Sequence, residues 1–440
     1  MQVAAGNAEW AARSRAAVWH PCTQMKQHER TPLVPIARAA GAWLYDFDGR
    51  RYLDAIGSWW VNLFGHANPR INAALAAQLD ALEHVMLAGF THRPAIELSE
   101  RLSALAPPGL GHAFYASDGA SATEIALKMS FHYWRQRGAR DRSHYARLAG
   151  GYHGETVGAL SVTDVALFRD AYAPLLLRHP VVPSPAVHDV PDGAAARAAA
   201  DRALEALERF LAEDAGTIAA LIVEPLVQGA AGMAMYEPRY LRRAREITRR
   251  HGVHLIADEI MTGFGRTGTL FACEQAAITP DFLCLSKGIT GGYLPLSCVL
   301  TTDDVFGAFY DDDVARGFLH SHSYTGNALA CRAALAVLDI FRDDDVIAAN
   351  RETAARWRRS AEPLASHRRV RHFRQCGMIF AFDVDGADAA FAHAFAAEAL
   401  RRELLLRPIG STVYFMPPYV VTDAEFELLV ERTIATLDAR

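Results

Sequence analysis

The sequence predicts an α/β protein, with a large domain built on a mostly parallel sheet flanked by helices and a smaller α+β domain. Up to about residue 330, short apolar runs alternate with longer stretches of helical period, which is typical of a parallel sheet covered on both faces. The clearest runs are apolar at successive positions, as expected for strands that are buried on both faces. Beyond that point the pattern changes, which indicates a second unit.

Each predicted element has a sequence signal of its own. In the amphipathic stretch 121–137, Ile125, Met129 and His132 recur at steps of three and four residues, the period of a helix. Another helix has Pro238 at its start and Gly252 at its end, both typical of helix termini. The predicted strands are 112–116, 219–227, 253–260 and 282–286, and the predicted helices are 121–137, 187–216 and 238–252.

The domain organisation follows from length and pattern. A chain of 440 residues exceeds one ordinary hydrophobic core. We expect residues 1–65 to contribute to the small domain, 66–330 to form the large domain, and 331–440 to form the rest of the small domain. The last part reads as long helices followed by the apolar runs "MIFAFDVD" and "VYFMPPYVV".

Composition excludes several classes of function. The 45 Lys and Arg against 50 Asp and Glu give a net charge of -5, which offers no basic field for nucleic acid. The N-terminal residues lack the continuous apolar stretch of a secretion signal or membrane span, so we expect a cytoplasmic protein without a membrane partner. The six cysteines form no C-x-x-C pair and the 18 histidines show no ligand spacing, so no metal site is predicted.

Two strand ends carry candidate ligand-binding residues. A strand runs into Ser117, Asp118 and Gly119 before a helix, and a helix start suits a phosphate because its N–H groups are unpaired. The alternative is that Ser117 or Asp118 simply caps the helix. A second strand ends in Asp258 and Glu259, which alternation along a strand points to opposite faces. Ligands of open α/β sheets lie at such strand ends.

A lysine completes the set. Lys287 ends an apolar run 29 residues after Asp258, about one strand-helix-strand crossover, so both could reach the same sheet edge. The alternative is that Lys287 reaches into water. Ser321 and Ser323 offer hydroxyls just before Gly326 and a helix. Pyridoxal phosphate fits this set, since its aldehyde needs a lysine, its ring nitrogen an acid, and its phosphate N–H and hydroxyl donors.

Longer motifs resemble a known family. "DEIMTGFGRTG" and "LSKGITGGYLPLS" resemble the class III (ornithine-type) aminotransferases of fold type I, which use pyridoxal 5'-phosphate. "SWW", "GYHGET", "VEPLVQGAAGM" and "LRPIGSTVYFMPPY" resemble the branch that transfers an amino group from S-adenosylmethionine to 8-amino-7-oxononanoate, a step of biotin biosynthesis. The resemblance runs from about Trp19 to near the C-terminus.

The resemblance implies roles for individual residues around the cofactor. Lys287 would form the Schiff base with the cofactor and shuttle the substrate proton, and Asp258 would pair with the ring nitrogen. The backbone around Asp118 and Gly119 would hold the phosphate, and Tyr152 would stack on the ring.

Further roles concern the second subunit and the substrates. In the family, His322 and Ser323 reach the phosphate of the neighbouring subunit, so a homodimer with shared active sites is implied. A long aliphatic chain ending in a carboxylate suits aromatic walls and one guanidinium, for which Arg407 is the candidate. Arg266 resembles a family position at the site, although its role could also be structural. The implied substrate-binding residues are Trp59, Trp60, Tyr152, Lys287, Ser321, Arg266 and Arg407.

The chain departs from the family pattern at a few positions. Cys22 follows His-Pro where the family usually has an aromatic residue, which removes a ring from the expected substrate pocket. Glu155 stands where aspartate is common, and Ser321 and Ser323 stand where glycine and threonine are frequent. The carboxylate of Asp118 would repel a phosphate unless it turns away.

Two other functions remain open from the sequence. The first is another class III aminotransferase acting on an ω-amino acid such as 4-aminobutyrate, ornithine or lysine. The second is a binding or regulatory protein of the same fold without turnover, although such regulators usually add a basic DNA-binding domain and none is visible here.

Overall fold

The structure is a computed structural model that describes residues 6–31, 33–188 and 193–439. Residues 1–5, 32 and 440 of the predicted domain ranges, and residues 189–192 of the predicted helix 187–216, lie outside the described residues. The described strands are β1 (Ile36–Ala40), β2 (Trp43–Asp46), β3 (Arg51–Asp54), β4 (His112–Ala116), β5 (His144–Leu148), β6 (Val181–Val182), β7 (Ile218–Val223), β8 (Val227–Gln228), β9 (Ala234–Met235), β10 (His254–Asp258), β11 (Phe282–Leu285), β12 (Ser297–Thr301), β13 (Val370–Cys376), β14 (Ile379–Val384), β15 (Leu404–Leu405) and β16 (Thr412–Phe415).

Helices surround these strands. They are α1 (Asn7–Ala17), the single turn α2 (Gly57–Trp60), α3 (Pro69–Leu79), α4 (Arg93–Leu105), α5 (Gly119–Gln136), α6 (Val157–Val162), α7 (Ala166–Arg169), α8 (Ala194–Asp214), α9 (Pro238–Arg250), α10 (Asp303–Gly307), α11 (Ala328–Asp343), α12 (Val346–Ser360), α13 (Glu362–Ala365), α14 (Phe391–Arg401) and α15 (Asp423–Asp438). Short 3-10 turns cover Met25–Glu29, Asp170–Leu175, Ala272–Ala276, Lys287–Thr290 and Val314–Arg316.

The large sheet has the strand order β4-β12-β11-β10-β7-β5-β6. Strand β12 runs antiparallel to both of its neighbours, and the other strands are parallel to one another. The prediction of a mostly parallel sheet in an α/β fold is therefore confirmed. The carboxyl ends of β4, β7, β10 and β11 consequently meet at one edge of the sheet.

Both faces of the large sheet are covered. Ile222, Ile256 and Phe282 belong to the apolar cluster that includes Ile125 of helix α5. Their strand neighbours face the opposite way and join the cluster that contains the buried residues of α8 and α9. Because side chains alternate along a strand, this explains why the strands are apolar at successive positions.

The connection from β10 to β11 differs from the expected crossover. The two strands are adjacent and parallel, with Asp258 level with Cys284. The chain between them contains a glycine-rich turn and the 3-10 turn Ala272–Ala276 rather than an α-helix. Asp258 and Lys287 still reach the same sheet edge, because adjacency alone brings the two strand ends together.

The terminal segments come together in a second sheet. Strands β1, β2 and β3 are joined by β15, which pairs parallel to β3. We propose on this ground that residues 1–65 and 331–440 form one small domain beside 66–330. Helix α11 begins three residues before that boundary, at Ala328, and packs against α3 and α4 of the large domain.

Four cysteines are buried as small apolar residues, whereas Cys376 is half-buried and Cys22 is exposed. In the described ranges, the helices are too short or too polar to cross a membrane.

Candidate active site

A cavity of about 490 Å³ lies at the edge where the parallel strands end. Its volume is in the range of small-molecule sites. The lining includes Asp258 at the end of β10, Lys287 just after β11 and the start of helix α5. The topology thus brings together groups that are far apart in sequence. The lining residues discussed below are Trp60, Asp118, Gly119, Tyr152, His153, Glu224, Asp258 and Lys287, together with 292–296.

Asp258 presents a buried carboxylate to this cavity. The residue is 4% exposed, and its Oδ2 lies 2.7 Å from His153 Nδ1 while its Oδ1 accepts the Ile260 N–H at 3.1 Å. Glu259 points to the opposite face, as strand alternation predicts, and accepts two N–H groups at the start of the 3-10 turn Ala272–Ala276. Of these two adjacent acids, Asp258 is therefore the one available to a ligand, and Glu259 is structural.

Lys287 enters the cavity directly after β11. Its φ of 46° lies in the left-handed region, which begins the 3-10 turn that follows. The Nζ atom is 5.2 Å from the centre of the Trp60 ring. Burial lowers the pKa of the Lys287 ammonium, and the carboxyl groups of Asp258 and Glu224 partly oppose that effect. Lys287 is half-buried and lines the cavity, so it does not extend into bulk water as the sequence alternative supposed.

Two residues that the sequence interpretation did not select complete the floor of the site. Glu224 follows β7, and its two oxygens accept the N–H groups of Tyr152 at 2.9 Å and Gly229 at 3.0 Å. Burial raises the pKa of Glu224 to about 7. The strand-end rule that selected Asp258 applies equally to Glu224, and His153 follows Tyr152 in a motif already recognised, so both signals were present.

The start of helix α5 forms another wall. Asp118 caps the helix, because its carboxylate accepts the Ser121 N–H and the Ser121 hydroxyl, each at 2.9 Å. The carboxylate is thereby turned toward the helix. A Cβ at Gly119 would lie 2.9 Å from the Ile260 side chain, so glycine keeps this wall open. The first N–H groups of a helix lack intrahelical partners and favour an anion.

Tyr152 is half-buried at the side of the cavity. Its hydroxyl donates to Glu155 at 2.9 Å, and its ring packs edge-on against Phe168 at 5.4 Å. Burial and the neighbouring Glu155 carboxylate both raise the pKa of the Tyr152 hydroxyl. The phenol is therefore a neutral hydrogen-bonding group at physiological pH.

The double tryptophan lies on a left-handed turn. Gly57, Ser58, Trp59 and Trp60 all have positive φ, between 46° and 74°. Left-handed conformations cost roughly 1–2 kcal/mol for each non-glycine residue, so the surrounding structure must hold this turn. Trp60 is buried and its indole N–H donates to the Tyr414 hydroxyl at 3.1 Å, whereas Trp59 is 40% exposed.

Arg407 stacks on the exposed tryptophan. Its guanidinium lies 4.5 Å above the Trp59 ring and donates one hydrogen bond, of 2.9 Å, to the Cys22 carbonyl. Cys22 therefore joins the site through its backbone. These residues form a cluster beside Trp60 and do not themselves line the described cavity.

Arg266 has a different position. It is 1% exposed and donates to the carbonyl oxygens of Trp60 and Asn62 on one side and of Met416 and Pro417 on the other. It is not part of the cavity lining. Its hydrogen bonds are thus with backbone, and its guanidinium also lies 5.0 Å from the centre of the Tyr419 ring. A direct substrate contact remains a prediction.

The segment 321–323 lies near the helix start without lining the cavity. His322 Nε2 is 3.0 Å from the Ser117 hydroxyl oxygen, directly before the Asp118 cap. The Ser323 carbonyl accepts from His84 at 2.9 Å, and both Ser321 and Ser323 are exposed. Their predicted roles toward a phosphate or a substrate remain predictions.

The chain is similar to known proteins over nearly its whole length. The chain is 45% identical, over 96% of both chains, to the adenosylmethionine-8-amino-7-oxononanoate aminotransferase of Helicobacter pylori. The crystal structure of the enzyme so named from Methanocaldococcus jannaschii superposes with a TM-score of 0.91 at 32% identity, covering 98% of both chains. An amine transaminase from an uncultivated Pseudomonas species, in its PLP-bound form, has a TM-score of 0.89 at 34% identity, covering 96% and 98% of the two chains. Residues 24–437 match the family Aminotransferase class-III, and the chain belongs to that family.

Proposed function

We propose that this protein uses pyridoxal 5'-phosphate to transfer an amino group from S-adenosylmethionine to 8-amino-7-oxononanoate, giving 7,8-diaminononanoate. The observation that carries the proposal is the convergence of Lys287, Asp258 and the start of helix α5 on one cavity. The near full-length similarity to relatives with this activity in their names supports the choice of substrates.

The residues of the cavity fit the cofactor. A buried carboxylate at Asp258 can pair with the protonated ring nitrogen, and Lys287 offers the amine that the aldehyde needs. The helix start at Gly119 offers unpaired N–H groups to a phosphate, and the missing Cβ leaves room beside Ile260. Bound there, pyridoxal 5'-phosphate supplies an electron sink for the carbon that loses its proton.

The protein contributes electrostatics at the floor of the cavity. Asp258 is held by His153 at 2.7 Å and by a backbone N–H, so its carboxylate has a fixed orientation. A fixed, desolvated carboxylate favours a proton on the group it faces. Glu224 fixes the backbone of Tyr152 and so places the phenol at the cavity wall.

Proton transfer is assigned to Lys287. Because burial lowers the pKa of Lys287, more of its Nζ is neutral near pH 7 than in an exposed lysine. A neutral amine can accept the proton from the substrate carbon and return it at a neighbouring position. Asp258 and Glu224 limit the effect by raising that pKa, which keeps the resulting ammonium stable.

The substrate walls are assigned to the aromatic cluster. Trp60 and Tyr152 line the cavity, and Trp59 continues this surface outward beneath Arg407. Within the described residues the Arg407 guanidinium donates one hydrogen bond, to the Cys22 carbonyl, so it retains donors for a carboxylate. We therefore propose that the carboxylate tail of the amino ketone binds Arg407 while its aliphatic chain passes the tryptophans.

The direct test is incubation of the purified protein with pyridoxal 5'-phosphate, 8-amino-7-oxononanoate and an amino donor, with the diamine measured by mass spectrometry. We expect diamine with S-adenosylmethionine and little with lysine. Diamine from lysine alone would reassign the donor. The absence of diamine with either donor would contradict the proposal. Lys287→Ala is the matched inactive control.

A second candidate is an amine or ω-amino acid transaminase. It is favoured by one observation, the high structural similarity to a solved amine transaminase. The two candidates separate on the acceptor: an ω-amino acid enzyme would use 2-oxoglutarate and would not aminate 8-amino-7-oxononanoate. The Arg407 and tryptophan cluster favours the amino ketone, since it matches a long apolar chain with a terminal carboxylate.

We further propose a homodimer with shared sites, in which His322 and Ser323 of one subunit act at the site of the other. Large apolar side chains such as Phe90 (60% exposed) and Leu319 (75% exposed) suit a subunit interface. Mixing Lys287→Ala with His322→Ala/Ser323→Ala chains would then restore activity, because one site of each mixed dimer is intact. No restoration after verified subunit exchange would refute shared sites.

A cytoplasmic location is also a proposal. It is supported by the cysteines, which are free thiols in the described residues and suit a reducing compartment. Cell fractionation with detection in the membrane or secreted fraction would contradict it.

A further inference from the structure

The left-handed turn at Gly57–Trp60 is the most unusual backbone feature near the site. Three of its four residues are not glycine, and the turn carries both tryptophans of the substrate wall. A stretch of this kind does not persist by its own preference, because side chains crowd the backbone in left-handed conformations. Contacts outside the turn must therefore hold it.

Asp54 provides the principal contact. It is fully buried three residues before Gly57, and its Oδ1 accepts the Ser58 N–H at 2.9 Å. Its Oδ2 accepts the Ser58 hydroxyl at 2.7 Å and also lies 3.1 Å from His66 Nε2. One carboxylate thus fixes both the backbone and the side chain of the residue that precedes Trp59.

The exit of the turn is held separately. Arg266 donates to the carbonyl oxygens of Trp60 and Asn62, and the Trp60 indole donates to Tyr414. At Gly57, an added Cβ would meet the Arg266 guanidinium at 3.0 Å and two backbone oxygens at similar distances. The exit is therefore rigid, whereas the position of Trp59 depends on the Asp54 contact with Ser58.

We propose that Asp54 is a positioning residue that sets Trp59 under Arg407 and thereby determines affinity for the long carboxylate-ended substrate. The inference rests on the proposed function for the identity of that substrate. Asp54 neither lines the cavity nor touches Lys287 or Asp258. Its loss should therefore act on substrate binding and leave the chemical step largely unchanged.

The test uses the cofactor-loaded enzyme and the variants Asp54→Asn and Ser58→Ala. Hydrogen exchange of the peptide covering 55–62 should accelerate by about tenfold, the effect of losing one charge-assisted hydrogen bond. The KM for 8-amino-7-oxononanoate should rise by about tenfold while kcat changes less than about threefold. Ser58→Gly should perturb the KM less than Ser58→Ala, because glycine adopts the left-handed conformation without strain.

Asp46→Asn is the matched control. Asp46 is also buried, accepts backbone N–H groups from Asp48 and Arg50, and lies one strand away in the same sheet. It should leave both the exchange of 55–62 and the KM unchanged. In an Arg407→Ala background, Asp54→Asn should lose most of its effect on the KM, since both changes remove the same contact.

Unchanged exchange of 55–62 in both Asp54→Asn and Ser58→Ala would overturn the inference, as would additive effects with Arg407→Ala. The exchange measurement needs no substrate. If the wild-type enzyme fails to aminate 8-amino-7-oxononanoate, the proposed function fails while the exchange result still decides whether Asp54 holds the turn.

Discussion

Replacing Glu224 by glutamine should make the stability of the protein less dependent on pH. Glu224 is buried, and burial raises its folded-state pKa to about 7 from the ordinary value of 4.5. A raised folded-state pKa means that the folded protein binds a proton more tightly than the unfolded chain. The resulting stabilisation is complete below pH 4.5 and is lost as the pH rises through 7.

The magnitude follows from the two pKa values. The full difference corresponds to about 3 kcal/mol in the free energy of unfolding, at about 1.4 kcal/mol for each pH unit. Between about pH 5.5 and about pH 8.5 the wild-type protein should lose about 2 kcal/mol through this one group. Glutamine does not titrate, so the variant lacks this loss. It also loses one of the two acceptors that serve Tyr152 and Gly229, a cost that does not vary with pH.

The assay is urea unfolding of both proteins at several pH values, followed by fluorescence and circular dichroism. The stability advantage of the wild type over Glu224→Gln should shrink by about 2 kcal/mol from acidic to alkaline pH. Glu259→Gln is a matched companion, because burial also raises the pKa of Glu259 to about 7. It should show the same trend.

The two variants should differ at the lysine. Glu224 raises the pKa of Lys287, so Glu224→Gln should move the pH midpoint of cofactor attachment, read by absorbance, to lower pH. Glu259 lies outside the cavity, so its variant should leave the midpoint in place. Parallel stability curves for wild type and Glu224→Gln across this pH range would refute the reasoning.

Further predictions concern the cofactor and the substrate. Gly119→Ala should weaken cofactor binding by about tenfold in an absorbance titration, because the new methyl group meets the Ile260 side chain. Adding Ile260→Ala should restore binding. If it does not, the loss is not caused by the steric contact between residues 119 and 260. Arg407→Ala should raise the KM for the amino ketone by about a hundredfold, with a smaller effect in Arg407→Lys, and an unchanged KM would remove Arg407 from the binding site. His153→Leu removes the side-chain contact that orients the Asp258 carboxylate. It should shift the absorption maximum of the bound cofactor and lower kcat by about tenfold. An unaltered spectrum would argue against a role of the His153–Asp258 contact in holding the cofactor.

The sequence predicted the fold through features that are local. Runs such as Phe282–Leu285 are buried on both faces, so a composition rule identifies them without knowledge of their neighbours. The antiparallel insertion of β12 was not predicted, because a strand's direction depends on the connection that precedes it. The expected crossover helix between β10 and β11 was wrong for a related reason, because the spacing of the two strands does not reveal the structure of the segment that connects them.

The candidate site was predictable in part. Asp258 and Lys287 end apolar strands and could be selected by position, and the structure brings both to one cavity. Strand alternation also correctly predicted that Asp258 and Glu259 point to opposite faces. The sequence did not predict contacts that depend on the folded backbone. The Asp54 contact with Ser58 requires left-handed backbone angles, which the residue types Ser and Trp do not indicate. The backbone role of Arg266 likewise depends on two segments that meet only in the folded chain.

The reversed direction of β12 has a consequence for how the pocket can be altered. Its first residue, Ser297, lies level with Ala116 at the end of β4, so the chain is back in the sheet ten residues after Lys287. Residues 292–296 form a partition of the pocket and belong to the connection 286–296, whose two ends are fixed in the hydrogen-bonded strands β11 and β12. Changing the side chains or the length of that partition would reshape the cavity next to Lys287, while the pairing of β12 with β11 and β4 stays the same. The partition is therefore a suitable place to alter the range of substrates.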